Sequence, residues 1–325
     1  MFLPAEMIPI LWQFRPAFQE RTYAKVVELL IGTLLARGRR TVTSALRAIG
    51  KGQAPNWSKH HQVLNRAKWS GLVVSRLLLE LIVMTFVTSG AIVTIAVDET
   101  LERGWGPQIR QCGHWRDSRS SSKRLHVSSR GLRWLVFAVL VQAPWSEYAV
   151  ALPFLSVLLT TPKASAKLGQ RHKTVAQVTG QVVIWLRRTL AGYPIHLVGD
   201  GAYAVIELGL RCQRCQVTLV APLRLDARLF EPPYRPQMKA RGRPPRVGAR
   251  LPNLAEVADS STTRWQRSRI VWYGATTAVM DWTTGTLPFP IRVQNAVLTL
   301  LITGALWLRP DINVSSMSHV GAQGV

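Results

Sequence analysis

Two apolar segments that each end in an aspartate constrain this chain more than any other feature of its sequence. The first, residues 92–97, is rich in β-branched side chains and is followed by Asp98 and Glu99. The second, residues 195–198, leads into Asp200, which has a glycine on each side. Short runs of this composition predict buried strands. If the two strands are neighbours in one sheet, they place two carboxylates at the same edge of it.

Further strand-like segments predict the fold class. Strand-like runs recur at residues 134–142 and 217–221, and residues 173–190 carry apolar side chains at helical spacing. Strands interleaved with helices are typical of an α/β sheet with helices on its faces. We therefore predict that residues 89–229 form an α/β core.

The paired aspartates Asp98 and Asp200 are the candidate catalytic residues and metal ligands. Two neighbouring carboxylates repel each other unless a divalent cation lies between them. Mg²⁺, or Mn²⁺, suits such a pair because it binds through one or two carboxylates together with phosphate oxygens and water. The implied chemistry is two-metal in-line displacement at a phosphodiester. An aspartate after a strand is also a common turn residue, so the spacing alone leaves a purely structural role open.

The charge of the chain points to the same class of substrate. Lys and Arg number 41 and Asp and Glu number 17 among 325 residues, which gives a net charge of +24. This excess favours nucleic acid as the partner, with a membrane surface or the ribosome as alternatives. Three cysteines are too few for a disulfide framework and fit a reducing compartment. No stretch reaches the roughly 18–20 apolar residues of a membrane span, so we expect a cytoplasmic, nucleoid-associated protein without membrane contact.

The N-terminal region, residues 1–88, is predicted to be helical and to bind DNA. Apolar side chains recur there at helical spacing, and basic residues lie between the short helices, as in helix-turn-helix bundles. An ordinary bundle with a solvated basic face is the alternative. The candidate DNA-binding residues of this region are Arg37, Arg39, Arg40, Arg47 and Lys59.

Two further basic segments are candidate DNA contacts. In the segment "GHWRDSRSSSKR" we expect Asp117 to be an internal ion-pair partner and Lys123 and Arg124 to contact phosphates. Residues 230–292 are predicted to form a Pro- and Gly-rich basic loop followed by β-rich structure. The loop contains "RGRPPR", which is similar to arms that insert into the minor groove, although a solvated loop is equally consistent. Its candidate contacts are Arg241, Arg243 and Arg246.

Two stretches resemble the DDE-superfamily transposases of bacterial insertion sequences. They are residues 96–145, which begin with "AVDET", and residues 172–209, which contain "LVGDGAY". The resemblance extends over about residues 20–290. It implies an RNase H-like mixed sheet with flanking helices, preceded by a helical DNA-binding region and followed by a partial β-rich insertion. In that family the first catalytic Asp is on the first core strand and the second follows the fourth strand, positions that match Asp98 and Asp200.

The third acid of that family, a glutamate on a later helix, has no clear counterpart in this sequence. We expect none of the later acids to lie on a helix, and the tail, residues 293–325, diverges from the family. Truncation accounts for this pattern, and a glutamate-bearing helix within residues 250–325 would contradict it. The later acids are Glu231, Glu256, Asp259, Asp281 and Asp311.

Two functions remain open at this point. The first is a Mg²⁺- or Mn²⁺-dependent transposase that acts as a homo-oligomer on terminal inverted repeats and target DNA, defective if its third acid is missing. The second is an inactive DNA-binding remnant that represses transposition. A zinc site at Cys212 and Cys215 is disfavoured because no second ligand pair matches them, and buried thiols are the simpler interpretation.

Overall fold

The computed structural model describes residues 4–104, 106, 108–122, 124–224, 226–228, 230, 248–262, 266–272 and 275–282. Its contacts divide the chain into two units, Met1–Leu81 and Ile82–Val325. The predicted boundary at residue 88 stays a prediction. The helices described are α1 Met7–Trp12, α2 Glu20–Leu35, α3 Val42–Ala48, α4 Ser58–Asn65, α5 Gly71–Phe86, α6 Pro162–Lys167, α7 Val175–Thr189, α8 Ile206–Arg214 and α9 Leu254–Asp259.

The N-terminal unit is helical, as predicted. Its core joins Leu29 of α2, Ala45 of α3 and Val63 of α4. The backbones of α2 and α3 approach closely at Gly32, where any side chain would meet the main chain of Ala45. Helix α3 begins at a Thr41 cap, whose hydroxyl accepts from the Ser44 amide at 3.1 Å.

The second unit contains one six-stranded mixed sheet. Strand β1 lies at its centre, antiparallel to β3 on one side and parallel to β5 on the other. Beyond these, β4 pairs antiparallel with β3 and β6 pairs parallel with β5. This mixed sheet with flanking helices confirms the RNase H-like fold class. The strands are β1 Val93–Arg103, β2 Gly113–Arg116, β3 Ser128–Gln142, β4 Ala149–Leu159, β5 Ile195–Val198 and β6 Val217–Val220.

The core of this unit follows from the alternation of side chains along the strands. Val93, Ile95 and Val97 of β1 are buried, while the residues between them are only partly buried. Leu197 of β5 and Leu186 of α7 are fully buried. Helix α7 begins with a capping box from Thr174, which fixes where the chain leaves its preceding loop.

Strands β2 and β4 were not among the strands predicted from sequence. Pro153 lies within β4, and a proline inside an apolar run argues against a strand interior. The structure accommodates Pro153 because β4 pairs on one side only among the described strands and because the β3–β4 register shifts beside it, between Phe137 and Ala138. A proline is tolerated at such an edge or bulge.

The described part of the C-terminal region contains α9 and an antiparallel pair, β7 Gln266–Trp272 and β8 Ala275–Trp282. This pair agrees with the predicted β-rich insertion. The basic loop around "RGRPPR" and the tail lie outside the described residues. Within the described ranges, no helix combines the length and apolar character that crossing a bilayer requires.

Candidate active site

The register of β1 and β5 brings the two predicted aspartates to one edge of the sheet. These parallel strands pair Ile95 with Leu197 and Ala96 with Val198. Asp98 and Asp200 each follow two residues after the last of these pairs. Because side chains alternate along a strand, Asp98 lies on the same face of β1 as Ala96, whereas Asp200 lies in the turn that directly follows β5. The sheet thus juxtaposes residues that are far apart in sequence.

Both aspartates are exposed, and among the described contacts each carboxylate accepts a hydrogen bond from the backbone beside it. The Oδ1 atom of Asp98 accepts from the Glu99 amide at 2.7 Å. The Oδ1 atom of Asp200 accepts from the Ala202 amide at 2.9 Å and caps a short 3-10 helix at Gly201–Tyr203. Among the described residues neither aspartate has a basic side chain within ion-pair distance. The remaining carboxylate oxygens are therefore free to bind a ligand from solvent.

Glu99 adjoins Asp98 but has a different environment. It lies on the opposite face of β1, its side chain is only 11% exposed, and it pairs with the guanidinium of Arg133 on β3. Burial raises the pKa of Glu99 above its ordinary value although Arg133 opposes the rise, and the charge of Asp200 adds to it. The sequence analysis assigned Glu99 no role, and Arg133 was not singled out.

Tyr203 contacts Glu99 and is influenced by the charges of both aspartates. Its side chain is buried, and its hydroxyl donates to Oε1 of Glu99 at 3.4 Å. The pKa of Tyr203 is raised by burial and by the negative charges of Glu99, Asp200 and Asp98, in that order. One hydroxyl therefore lies within electrostatic range of all three acids. The only sequence signal for this role was its place in the turn after Asp200.

The donor set at this edge fits a hard divalent cation in part. Two exposed carboxylates without a protein cation are suitable ligands for Mg²⁺ or Mn²⁺, which take further oxygens from water or phosphate. No cluster of three or more His, Cys, Asp or Glu side chains poised to hold a metal occurs in the parts of the chain that are described. Among the described residues, the candidate ligands at this place are the two aspartates.

The structure corrects the expectation for the acids that follow Asp226. Glu256 lies on α9, and Asp259 is the last residue of that helix, so two of these acids are on a helix after all. The signal was the Asn253–Glu256 capping box, in which the Glu256 carboxylate accepts from the Asn253 amide at 2.8 Å. Asp281 lies in β8, whereas Glu231 and Asp311 are outside the described residues. The argument for truncation from a missing glutamate-bearing helix is thereby removed, and the identity of the third acid stays open.

The predicted DNA-binding residues occupy separate segments. Three arginines follow α2, and the other two N-terminal residues lie on α3 and α4. Arg124 lies between β2 and β3 in the second unit. All six are exposed, and their contact with DNA stays a prediction. The six are Arg37, Arg39, Arg40, Arg47, Lys59 and Arg124. Four further residues lie outside the described part of the chain: Lys123, Arg241, Arg243 and Arg246.

Two other predictions are confirmed. Asp117 is buried and pairs with Arg103, as expected of an internal ion-pair partner. Cys212 is a buried thiol on α8, and burial raises its pKa to about 12. Cys215 follows at the end of that helix and is free, so these cysteines form no disulfide.

Comparison with known proteins identifies a family whose model matches most of this chain. A family model described as DDE superfamily endonuclease matches residues 13–279. Among curated proteins, none matches the chain. Among solved structures, the chain is similar to the cryo-EM structure of a piggyBac transposase synaptic complex with hairpin DNA, at 13% sequence identity and a TM-score of 0.30. That similarity covers 66% of this chain and 45% of the other, so this chain spans less than half of that protein's length.

Proposed function

The chain belongs to the DDE superfamily of endonucleases, and on that premise we propose that it is a metal-dependent DNA transposase of a bacterial insertion sequence. The observation that carries the proposal is the register of β1 and β5, whose last pair is Ala96 with Val198, so that Asp98 within β1 and Asp200 just after β5 each lie two residues beyond it. Both carboxylates are exposed and lack basic partners in the described structure. They are therefore available to hold Mg²⁺ or Mn²⁺ against a phosphodiester.

Asp98 and Asp200 would hold the metal, and the sheet would fix their spacing. Mg²⁺ or Mn²⁺ bound there supplies activation of the attacking water or 3′-hydroxyl and stabilisation of the leaving oxygen. Asp98 lies on β1 and Asp200 lies two residues after β5, so the sheet would pre-position both carboxylates for an in-line attack. Neutralising either carboxylate removes a ligand and should misplace the reacting groups.

DNA is the proposed substrate and partner. The net charge of +24 favours a polyanion, and an endonuclease family acts on nucleic acid. We assign the terminal inverted repeats and the target DNA to this protein as substrates, with a homo-oligomer bringing two ends together in the bacterial cytoplasm. The exposed arginines and Lys59 would position phosphates rather than read bases.

The proposal is tested by nicking of supercoiled plasmid DNA in Mg²⁺ or Mn²⁺. Asp98→Asn and Asp200→Asn are expected to lower the rate by at least about 100-fold. Glu102→Gln is the matched control, because Glu102 lies on the same strand, four residues after Asp98, and its carboxylate accepts a hydrogen bond from Trp134 at 2.9 Å. Equal activity in the wild type and Asp98→Asn would overturn the assignment.

The second candidate is an inactive DNA-binding remnant that occupies the element's ends. It is favoured by the Glu256 carboxylate, which caps its own helix rather than joining the two aspartates in any described contact. The same assay separates the candidates. DNA binding without cleavage by the wild type supports the remnant, whereas cleavage that Glu256→Gln abolishes identifies Glu256 as the third acid.

A further inference from the structure

The adjacent acids Asp98 and Glu99, in the middle of β1, have different environments. Asp98 is exposed and has no partner beyond the backbone beside it among the described contacts, whereas Glu99 is largely buried and ion-paired. They point to opposite faces because side chains alternate along a strand. Glu99 can reach the face of Asp98 only if it leaves its ion pair and the strand backbone turns over. It is therefore poorly placed to be a metal ligand.

Arg133, the ion-pair partner of Glu99, is itself in contact with a residue of β2. Arg133 lies on β3, and the register pairs it with Leu101, two residues beyond Glu99 on β1. Such a diagonal neighbour on the same face is within reach of a long side chain. The Arg133 guanidinium also lies over the ring of Trp115 on β2, at 5.3 Å from its centroid. Three strands thus fix the position of the Glu99 carboxylate.

The other contact of Glu99 leads to Asp200. Tyr203 follows Asp200 by three residues, at the end of the 3-10 helix that the Asp200 side chain caps. Its ring packs against Gly199, where a Cβ atom would lie only 2.7 Å from the Tyr203 Cδ2 atom. Its hydroxyl reaches Glu99 across 104 residues of sequence. The turn that carries Asp200 is thereby tied to the strand that carries Asp98.

We propose that Arg133, Glu99 and Tyr203 form a bridge that sets the spacing of Asp98 and Asp200, with Glu99 as a positioning residue rather than a ligand. Arg133 pairs with Glu99, and Tyr203 donates to Glu99. In sequence, Glu99 directly follows Asp98, and Tyr203 lies three residues after Asp200. Because the aspartates repel each other before a cation binds, such a link keeps the turn after β5 from moving away. The inference rests on the proposed function, since it concerns the same metal-binding pair.

The test measures the affinity of the full chain for Mn²⁺ alone by titration calorimetry, together with the melting temperature without metal. Tyr203→Phe removes one oxygen and keeps the buried ring, and Glu99→Gln keeps the shape of the side chain. Each is expected to weaken Mn²⁺ binding by about 10-fold, the usual effect of losing an outer partner of a metal ligand. Glu102→Gln, on the same strand, is expected to bind Mn²⁺ as the wild type does.

A spectroscopic measurement separates positioning from ligation. Water-proton relaxation reports how many water molecules remain bound to Mn²⁺. If Glu99 only positions the aspartates, this number is unchanged in Glu99→Gln even though affinity falls. An added water in Glu99→Gln, with no change in Tyr203→Phe, would show that Glu99 is a ligand and would overturn the bridge. Should Glu99→Gln not fold, Tyr203→Phe decides the matter by its affinity.

Failure of the bridge and failure of the proposed function give different results. If the wild type binds no Mn²⁺, or binds it equally well after Asp98→Asn, the metal site itself is wrong and the bridge falls with it. If Mn²⁺ binding depends on Asp98 but is unchanged in both Tyr203→Phe and Glu99→Gln, the metal site stands and only the bridge is rejected.

Discussion

Two regions of the second unit use aspartate in opposite ways. Between β2 and β3, Asp117 is 3% exposed and accepts hydrogen bonds from Arg103, Ser129 and the Arg119 amide. At the edge formed by β1 and β5, Asp98 and Asp200 are exposed and accept only from the backbone next to them in any described contact. The protein supplies hydrogen-bond donors for the Asp117 carboxylate, whereas the carboxylates of Asp98 and Asp200 remain accessible to a ligand.

The difference teaches how to recognise a functional acid in a basic chain. The chain has 41 basic residues against 17 acidic ones, and among the described residues six carboxylates, Asp117 included, form ion pairs. A carboxylate that the fold surrounds with donors contributes to stability, because its removal leaves those donors unpaired. A carboxylate that remains without a cation contributes little to the fold, and two such groups side by side repel each other. Stability should therefore respond to the two kinds of aspartate in opposite directions.

The largest expected contrast is between Asp117→Ala and Asp98→Ala. Asp117→Ala leaves the Ser129 hydroxyl and the Arg119 amide without their acceptor, so we expect the melting temperature to fall by about 5–10 °C. Asp98→Ala removes an exposed carboxylate that has no ion pair among the described contacts, so it should leave the melting temperature unchanged or raise it. Differential scanning calorimetry without divalent metal measures both. An equal loss in the two variants would show that Asp98 is structural and would break the comparison.

The next contrast concerns the backbone beneath Asp200 rather than its carboxylate. A Cβ atom at Gly199 would lie 2.7 Å from the Tyr203 ring, which is itself buried and cannot move freely. We expect Gly199→Ala to cost about 1–3 kcal/mol of unfolding free energy through overpacking. Chemical denaturation measures this value.

Gly192→Ala is the matched control for that substitution. No atom lies within 4 Å of a Cβ built there, and the backbone is not in the left-handed region. It should be neutral or stabilise by about 0.4–1 kcal/mol, because alanine restricts the unfolded chain. Similar losses in both variants would mean that the Tyr203 contact is not what constrains Gly199.

The two kinds of aspartate were not equally visible in the sequence. Asp98 and Asp200 were predictable because period-2 apolar runs mark strands and because parallel neighbours bring their ends together. Asp117 was predictable as an ion-pair partner from the cations around it. The different environments of Glu99 and Asp98 were not predictable from the sequence, because the environment of Glu99 depends on a diagonal contact to Arg133 and on a tyrosine 104 residues away.

Other elements escaped prediction for local reasons. Strand β4 was hidden by Pro153, whose presence is tolerated only because the pairing with β3 shifts at that point. Helix α9 was hidden by its brevity, since it spans only Leu254–Asp259. Sequence patterns identified the strands that position Asp98 and Asp200, and they failed where a tertiary contact outweighed a local preference.

The smallest contrast extends the comparison to the N-terminal unit, where Glu28 resembles Asp117 rather than Asp98. Its carboxylate accepts from Lys51 at 2.6 Å and contacts His60 at 2.7 Å. Burial acts to raise the pKa of Glu28, but the hydrogen bonds and charges of Lys51 and His60 outweigh it and hold the pKa below the ordinary value of 4.5. The charge of Glu28 therefore stabilises the fold above about pH 4.5, and this contribution is lost as the pH falls through the lowered pKa.

Glu28→Gln should cost about 1 kcal/mol of unfolding free energy near pH 7, because a half-buried ion pair with good geometry stabilises a protein only modestly more than a surface ion pair does. The free energies of unfolding of the variant and the wild type should converge once the pH falls below the lowered pKa of Glu28. Glu20→Gln, at the exposed start of the same helix, should change stability less at neutral or acid pH. A cost for Glu28→Gln that persists undiminished in acid would mean that the side chain acts through its shape, and that Glu28 does not belong with Asp117.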